Sequence, residues 1–94
     1  MDISHDLITL SSSSAIRIPA TDGTSVHYSV SFSVQNVHES AIVYIGGNNV
    51  TDGDYGIKLL PNAIASFENV QRNAGFYAIS DTDESQVAIL KMSM

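Results

Sequence analysis

The sequence predicts an all-β fold, an antiparallel β-sandwich of jelly-roll or immunoglobulin-like type with about seven to eight short strands. Three observations support this prediction. Apolar and polar residues alternate without a break in Val26–Gln35. Apolar segments recur roughly every 8–12 residues with turn residues between them, and no long window has the helical period. With 94 residues, the chain is expected to be a single domain over residues 1–94.

The alternating segment is the clearest predicted strand. On a helix its apolar residues would scatter around the axis, whereas in a strand they share one face. β-branched and aromatic residues dominate that face, as is typical of a half-buried strand. The predicted faces are Val26, Tyr28, Val30, Phe32 and Val34 on one side, and His27, Ser29, Ser31, Ser33 and Gln35 on the other.

The other predicted strands are Asp6–Leu10, Ala15–Pro19, Ser40–Ile45, Ile57–Leu60, Ala63–Val70, Gly75–Ser80 and Gln86–Met92. The first belongs to residues 1–14, which we expect to form an arm or an edge strand. Ser40–Ile45 is continuously apolar, which indicates a strand covered on both faces.

Two hairpins are expected from spacing along the chain. One pairs Ile16–Pro19 with Val26–Val34. The other pairs Gly75–Ser80 with Gln86–Met92 across the polar connection Asp81–Ser85.

Composition limits the classes of function. Ten acidic and four basic residues give a formal net charge of −6. So few cations cannot make the phosphate contacts of a nucleic-acid-binding protein, and an anionic membrane would repel the chain. The chain has no cysteine, so disulfides and thiolate chemistry are excluded. No apolar segment resembles a signal peptide or a membrane span, and folding in a cytoplasm is expected.

Residues with catalytic or metal-binding chemistry form no recognisable motif. His5, His27 and His38 lack ligand spacing, and no G-x-S-x-G sequence is present. We therefore expect no enzyme activity, no cofactor and no metal. One alternative stays open in the glycine-rich loop Gly46–Gly56, where Asp52 and Asp54 have calcium-loop spacing but lack the remaining EF-hand ligands. The alternative is a site for a single ion, made together with a neighbouring loop.

Five short sequences between Val26 and Met92 follow a recurrent pattern: VYIGG (Val43–Gly47), NVT (Asn49–Thr51), GIKLLPN (Gly56–Asn62), YAIS (Tyr77–Ser80) and VAIL (Val87–Leu90). In this pattern the chain resembles a small β-domain of tailed-bacteriophage virion proteins. Asn62 stands where relatives often have glycine after the proline, and asparagine tolerates the same left-handed conformation.

The resemblance implies a non-enzymatic structural protein of the virion, assembled in the host cytoplasm. We expect a capsid decoration or cement protein that binds the major capsid protein or another virion protein as a homo-oligomer, with a trimer as the first expectation. The candidate interface consists of Tyr44, Tyr55, Ile57 and Leu60 as anchors, with Ser31, Ser33 and Gln35 as a polar row.

Other assignments stay open. Ile57 and Leu60 would be core residues if they point inward, and the polar row would simply face water if nothing binds it. A tail, adaptor or fibre-base component is the second hypothesis. A carbohydrate-binding module that stacks sugars on Tyr44, Tyr55 or Tyr77 is the alternative from another class of protein.

Overall fold

The computed structural model describes residues 2–18, 29–71 and 76–93. These residues form eight strands: β1 (Asp2–Thr9), β2 (Ile16–Ile18), β3 (Ser29–Asn36), β4 (Val43–Gly46), β5 (Ile57–Leu59), β6 (Ile64–Gln71), β7 (Phe76–Ser80) and β8 (Gln86–Ser93). They make two four-stranded antiparallel sheets, ordered β1-β8-β3-β6 and β2-β7-β4-β5. We call the first, whose strands have eight residues each, the larger sheet. The second, whose strands have three to five residues, is the smaller sheet. The predicted antiparallel β-sandwich is confirmed. Within these ranges no helix is long and apolar enough to cross a membrane.

The strand pairing has the connectivity of a jelly roll. β1 pairs with β8, β2 with β7, β3 with β6 and β4 with β5. A long hairpin whose tip is the β4–β5 loop gives this pattern when it is rolled into two packed sheets. Successive strands therefore alternate between sheets along much of the chain, and the connections cross from one sheet to the other.

Both predicted hairpins are wrong for this reason. β2 lies in the smaller sheet and pairs with β7, whereas β3 lies in the larger sheet between β8 and β6. β7 and β8 also lie in different sheets, so the connection Asp81–Ser85 crosses the sandwich. Hydrophobic alternation fixes the buried face of a strand and does not specify its partner. The predicted strand residues Val26–Tyr28 lie outside the described residues.

The core lies between the inner faces of the two sheets. It contains Leu10, Ile18, Phe32, Val34, Val43, Ile45, Leu59, Ala78, Val87 and Ile89. Phe32 packs at its centre, with its ring centroid 5.0 Å from Phe67 and 5.5 Å from Phe76. Phe76 belongs to the smaller sheet, whereas Phe32 and Phe67 belong to the larger one. The contacts of Phe76 with Phe32 and with Phe67, whose ring centroid is 4.9 Å away, therefore join the two layers.

Asn36 is a fully buried polar residue at the end of β3. Its Nδ2 atom donates to the carbonyl oxygens of Ala41 at 2.8 Å and Leu59 at 3.1 Å. Its Oδ1 atom accepts from the backbone N–H of His38 at 3.1 Å. The side chain therefore links the larger sheet to the chain entering β4 and leaving β5 in the smaller sheet.

A β-turn closes the connection between β5 and β6. The N–H of Ala63 donates to the carbonyl oxygen of Leu60 at 2.9 Å, and Asn62 adopts φ 66°. Proline at the second position and a left-handed residue at the third are the features of a type II turn. Asn62 therefore takes the conformation for which the sequence pattern often has glycine.

Candidate functional site

The outer face of the larger sheet carries the predicted polar row. Phe32 and Val34 of β3 point into the core, so the alternate residues Ser31, Ser33 and Gln35 lie on the outer face, where they are half-buried. Ser33 is paired in register with Ser66 of β6, and their Oγ atoms are 3.0 Å apart. The structure brings these three predicted residues together on one surface.

An apolar strip borders the polar row. It consists of Ile3 and Leu7 of β1 with Ala88, Leu90 and Met92 of β8. Ile3 lies opposite Met92, and Leu7 lies opposite Ala88. Ile3 and Leu7 remain 67% and 62% exposed. Large contiguous apolar surface left in water is typical of an interaction surface, whereas single exposed apolar residues are ordinary.

Few charges interrupt this face. Outward positions on the remaining strands hold His5 and Thr9 on β1, Gln86 on β8, and Ile64, Ser66 and Glu68 on β6. Among the outer-face side chains that the structure describes, Glu68 is the single carboxylate. Sequence alternation predicts the polar row. The sequence did not predict the apolar strip. Its residues occupy alternate positions of β1 and β8, but they form one surface only because these two strands are neighbours.

Tyr44 and Tyr55 lie on the opposite side of the sandwich. The loop after β4 folds back over the smaller sheet, where the N–H of Gly56 donates to the carbonyl oxygen of Ile45 at 2.9 Å. Tyr44 is consequently only 8% exposed and packs with Val50 of this loop, whereas Tyr55 is 44% exposed. Their ring centroids are 4.9 Å apart and the rings are tilted by 46°. Of the two, only Tyr55 offers substantial surface to a partner.

The last two predicted anchors occupy different environments. Ile57 is half-buried and packs against the main core. Leu60 is exposed at the turn that leads into β6. The candidate interface is therefore dispersed. The polar row lies on the outer face of the larger sheet, Tyr55 lies in the loop covering the smaller sheet, and Leu60 lies at the end of the sandwich. Tyr44 is buried and Ile57 is half-buried against the core.

The Gly46–Gly56 loop is held by backbone hydrogen bonds. Thr51 and Asp54 exchange two N–H···O bonds of 2.9 and 3.2 Å, and the N–H of Gly53 donates to Thr51 Oγ1. In the part of the chain that the structure describes, no three histidine, aspartate or glutamate side chains are grouped to hold a metal ion. The calcium alternative for Asp52 and Asp54 gains no further ligand from this arrangement.

The described histidines have separate surroundings. His38 Nδ1 accepts from the N–H groups of Ser40 at 3.1 Å and Ala41 at 2.9 Å, so its ring closes the turn before β4. His5 lies exposed on the outer face of β1. His27 lies outside the described residues.

One end of the sandwich, which we call the acidic end, is formed by loops 10–15, 37–42, 60–63 and 81–85. The register of the strands brings these loops together, since Thr9 pairs with Gln86 and Val43 pairs with both Leu59 and Ser80. Its carboxylates are Glu39, Asp81, Asp83 and Glu84, and these four loops contain no lysine or arginine.

Two of these carboxylates are structural hydrogen-bond acceptors. Asp83 Oδ1 accepts from both the backbone N–H and the Oγ of Ser12, each at 2.7 Å. These hydrogen bonds, the backbone one first, lower the pKa of Asp83 below its ordinary value. Asp81 Oδ1 accepts from the N–H of Ile42 at 3.0 Å. The sequence did not predict this arrangement. Its one hint was the run of hydroxyl residues Ser11–Ser14, which supplies the donors for Asp83.

No family model, no curated protein and no solved structure matches this chain.

Proposed function

We propose that this chain is a non-enzymatic structural protein of a tailed-bacteriophage virion, and specifically a capsid decoration protein that stabilises the shell through protein–protein contacts. The observation that carries the proposal is the outer face of the larger sheet. There the apolar strip and the polar row of Ser31, Ser33 and Gln35 form one extended surface with a single described carboxylate.

The chemistry of this face suits contact with another protein. Exposed apolar side chains supply the favourable burial, and depletion of charge in the centre lowers the cost of desolvation. Ser31 and Ser33 are small, so a partner backbone can approach closely and make directional hydrogen bonds. A decoration protein repeats such a contact many times over a symmetric shell, and modest contacts then add up across the joints between subunits.

Charge gives the contact an orientation. The acidic end would be repelled by an acidic surface and attracted by basic patches on a shell protein. An orientation with the acidic end near such a patch leaves the outer face free to pack on the shell beside it.

The competing functions have weaker support. A tail, adaptor or fibre-base component would use the same kind of surface and shares the sequence pattern. The jelly roll is common to viral capsid and lectin domains, so the fold alone does not choose between virion and carbohydrate binding. For the carbohydrate alternative, Tyr44 is buried and its ring is tilted against Tyr55, so the pair lacks the flat exposed platform that sugar stacking needs.

Co-sedimentation with shells tests the proposal. The purified chain is mixed with expanded, undecorated capsids of the phage that encodes it and, in a separate experiment, with purified tails of the same phage. The bound copies are then counted. We expect saturable binding to capsids. Ser33→Asp places a charge in the centre of the outer face and should weaken binding at least about tenfold, because the added carboxylate must be desolvated.

The matched control is Asn49→Asp, which adds the same charge to the exposed loop on the other side of the sandwich. It should bind capsids like the unmodified chain. Binding to tails alone would transfer the proposal to the tail component. Binding to neither particle, or equal loss in both variants, would contradict the proposed surface.

A further inference from the structure

The four sheet edges differ in how well they are protected against pairing. β2 and β5 are edges of only three residues each. β6 is an eight-residue edge, but its register shifts opposite Val30 and Phe32, and it carries the exposed Glu68. Short length, bulges and charges are the devices that keep sheet edges from pairing with other chains. Each of these three edges therefore has at least one of them.

β1 is neither short nor bulged. It has eight residues, contains no proline and stays in continuous register with β8 from Asp2 to Thr9. Among its described side chains, the one carboxylate is Asp6, whose Oδ2 lies 3.1 Å from Lys91 Nζ on the neighbouring strand. Two of its outward side chains, Ile3 and Leu7, are large, apolar and exposed.

The pairing of β1 with β8 determines which backbone groups face the free edge. The N–H of Leu10 donates to the carbonyl oxygen of Ser85 at 2.7 Å, in register with the β1–β8 ladder. Antiparallel pairs alternate between hydrogen-bonded and non-hydrogen-bonded residues. Hence even-numbered residues of β1 bond to β8, and the N–H and C=O groups of Ile3, His5 and Leu7 point away from it. No strand of the described chain pairs with that edge.

We propose that β1 pairs antiparallel with β1 of a second copy of this chain, about a two-fold axis at His5. Outward-pointing residues must pair with each other, and this register sets Ile3 opposite Leu7 of the second copy, on both sides of a His5–His5 pair. Apolar residues directly opposite each other stabilise a strand pair. A two-fold contact requires a self-complementary surface, and the order apolar–histidine–apolar at every second residue provides one.

The neighbouring registers are worse. Centring the axis on Asp6 sets two carboxylates directly opposite each other, which destabilises a pair. Centring it on Ser4 removes Leu7 from the paired segment that the structure describes and sets Ile3 against His5. In the proposed register, Asp6 lies opposite Ser4 of the second copy, whose hydroxyl can donate to the carboxylate.

Charge also favours the antiparallel arrangement. The acidic end lies beyond Thr9, at the carboxyl end of β1. Antiparallel pairing about His5 places the two acidic ends at opposite extremes of the dimer, where solvent screens their repulsion. The two larger sheets become one continuous sheet with a common outer face, so dimerisation doubles the surface offered to a shell. The contact is two-fold, in contrast to the trimer expected from the sequence pattern.

Charged substitutions of His5, the residue at the two-fold axis, test the pairing. Sedimentation velocity on the full chain over a range of concentrations should show a species of twice the 10.1 kDa chain mass. His5→Asp and His5→Lys each place like charges opposite one another, and each should be monomeric at concentrations where the unmodified chain is a dimer. An equimolar mixture of the two variants should restore the dimer, because aspartate then faces lysine.

Ser66→Asp is the control, since it adds a charge to the same outer face on the far edge strand β6 and should leave the dimer intact. Circular dichroism confirms that each variant is folded. A chain that stays monomeric at all concentrations, a trimer, or a dimer that survives both His5 variants would overturn the proposal. Because no capsid is present in this experiment, its failure leaves shell binding to be judged by co-sedimentation alone.

Discussion

Glu84 adopts φ 65° in the connection between β7 and β8. Its N–H donates to the carbonyl oxygen of Leu10 at 3.1 Å, while the N–H of Leu10 donates to Ser85. Glu84 and Ser85 therefore both lie opposite Leu10, and Glu84, the first of the two, has a left-handed backbone conformation. This is the arrangement of a β-bulge that ordinarily has glycine at its first position. A glutamate pays a conformational penalty there because its Cβ atom crowds the backbone.

We expect Glu84→Gly to raise the free energy of unfolding by about 0.5–1 kcal/mol, since relief of the left-handed penalty exceeds the added entropy of the unfolded chain. Urea denaturation measures the change. Glu84→Gln is the control, because it removes the charge from the acidic end and keeps the Cβ atom. Equal stabilisation by both variants would mean that charge repulsion, and not backbone conformation, is responsible.

For the strands and loops, the local sequence pattern predicts which residues form strands and which face is buried better than it predicts which strands pair. Phe32 and Val34 are buried and Ser33 faces outward, as alternation requires. Ile64 and Phe67 are out of phase because they serve opposite faces: Phe67 packs in the core, whereas Ile64 is exposed. Partners could not be predicted, since a strand's alternation is satisfied by any neighbour with the same buried face.

The candidate site shows the same division. Residue parity placed Ser31, Ser33 and Gln35 on one face because each position depends only on β3. The burial of Tyr44 depends on a loop that returns over the sheet with Val50, and nothing in the local sequence specifies that return. The apolar strip depends on β1 lying beside β8, at opposite ends of the chain.

Asp83 joins two loops that are distant in the sequence, and its depressed pKa gives this contact a pH dependence. A carboxyl with a folded-state pKa below its unfolded value of about 3.8 stabilises the fold above that value. The stabilisation disappears as the pH falls through the folded-state pKa. Asp83→Asn should therefore lower stability at neutral pH and flatten the loss of stability on acidification below about pH 4.

Thermal melts of both proteins from neutral pH to the acid range measure this difference. Asp52→Asn, in the exposed Gly46–Gly56 loop, is the control, because it makes the same substitution without removing a hydrogen bond to Ser12. It should melt like the unmodified chain at neutral pH. If Asp83→Asn melted in parallel with the unmodified chain at every pH, the Ser12 hydrogen bonds would not contribute to stability in solution.

For the molecule as a whole, the two sheets depend on each other. The smaller sheet has strands of three to five residues, which are too short to be stable alone. Its residues are held by the shared core and by polar links to the larger sheet. Nearly all strand pairs join distant parts of the chain, so neither sheet can form its contacts locally.

Asn36 is a buried polar link between the two sheets, and replacing it tests this dependence. Asn36→Leu is similar in size but leaves the carbonyls of Ala41 and Leu59 and the N–H of His38 without their present partner. We expect a loss of about 2–4 kcal/mol in the free energy of unfolding, because buried polar groups without hydrogen bonds cost about 1–3 kcal/mol each and the surrounding turns can partly rearrange toward water. Ser33→Ala, on the outer face of the same strand, removes only the contact with Ser66 and should cost less than about 0.5 kcal/mol.

Urea denaturation followed separately by tyrosine fluorescence, which reports mainly on the smaller sheet, and by circular dichroism should give coincident transitions for both variants. Non-coincident transitions in Asn36→Leu would mean that the smaller sheet unfolds on its own, and that the aromatic contacts of the core do not suffice to couple the layers.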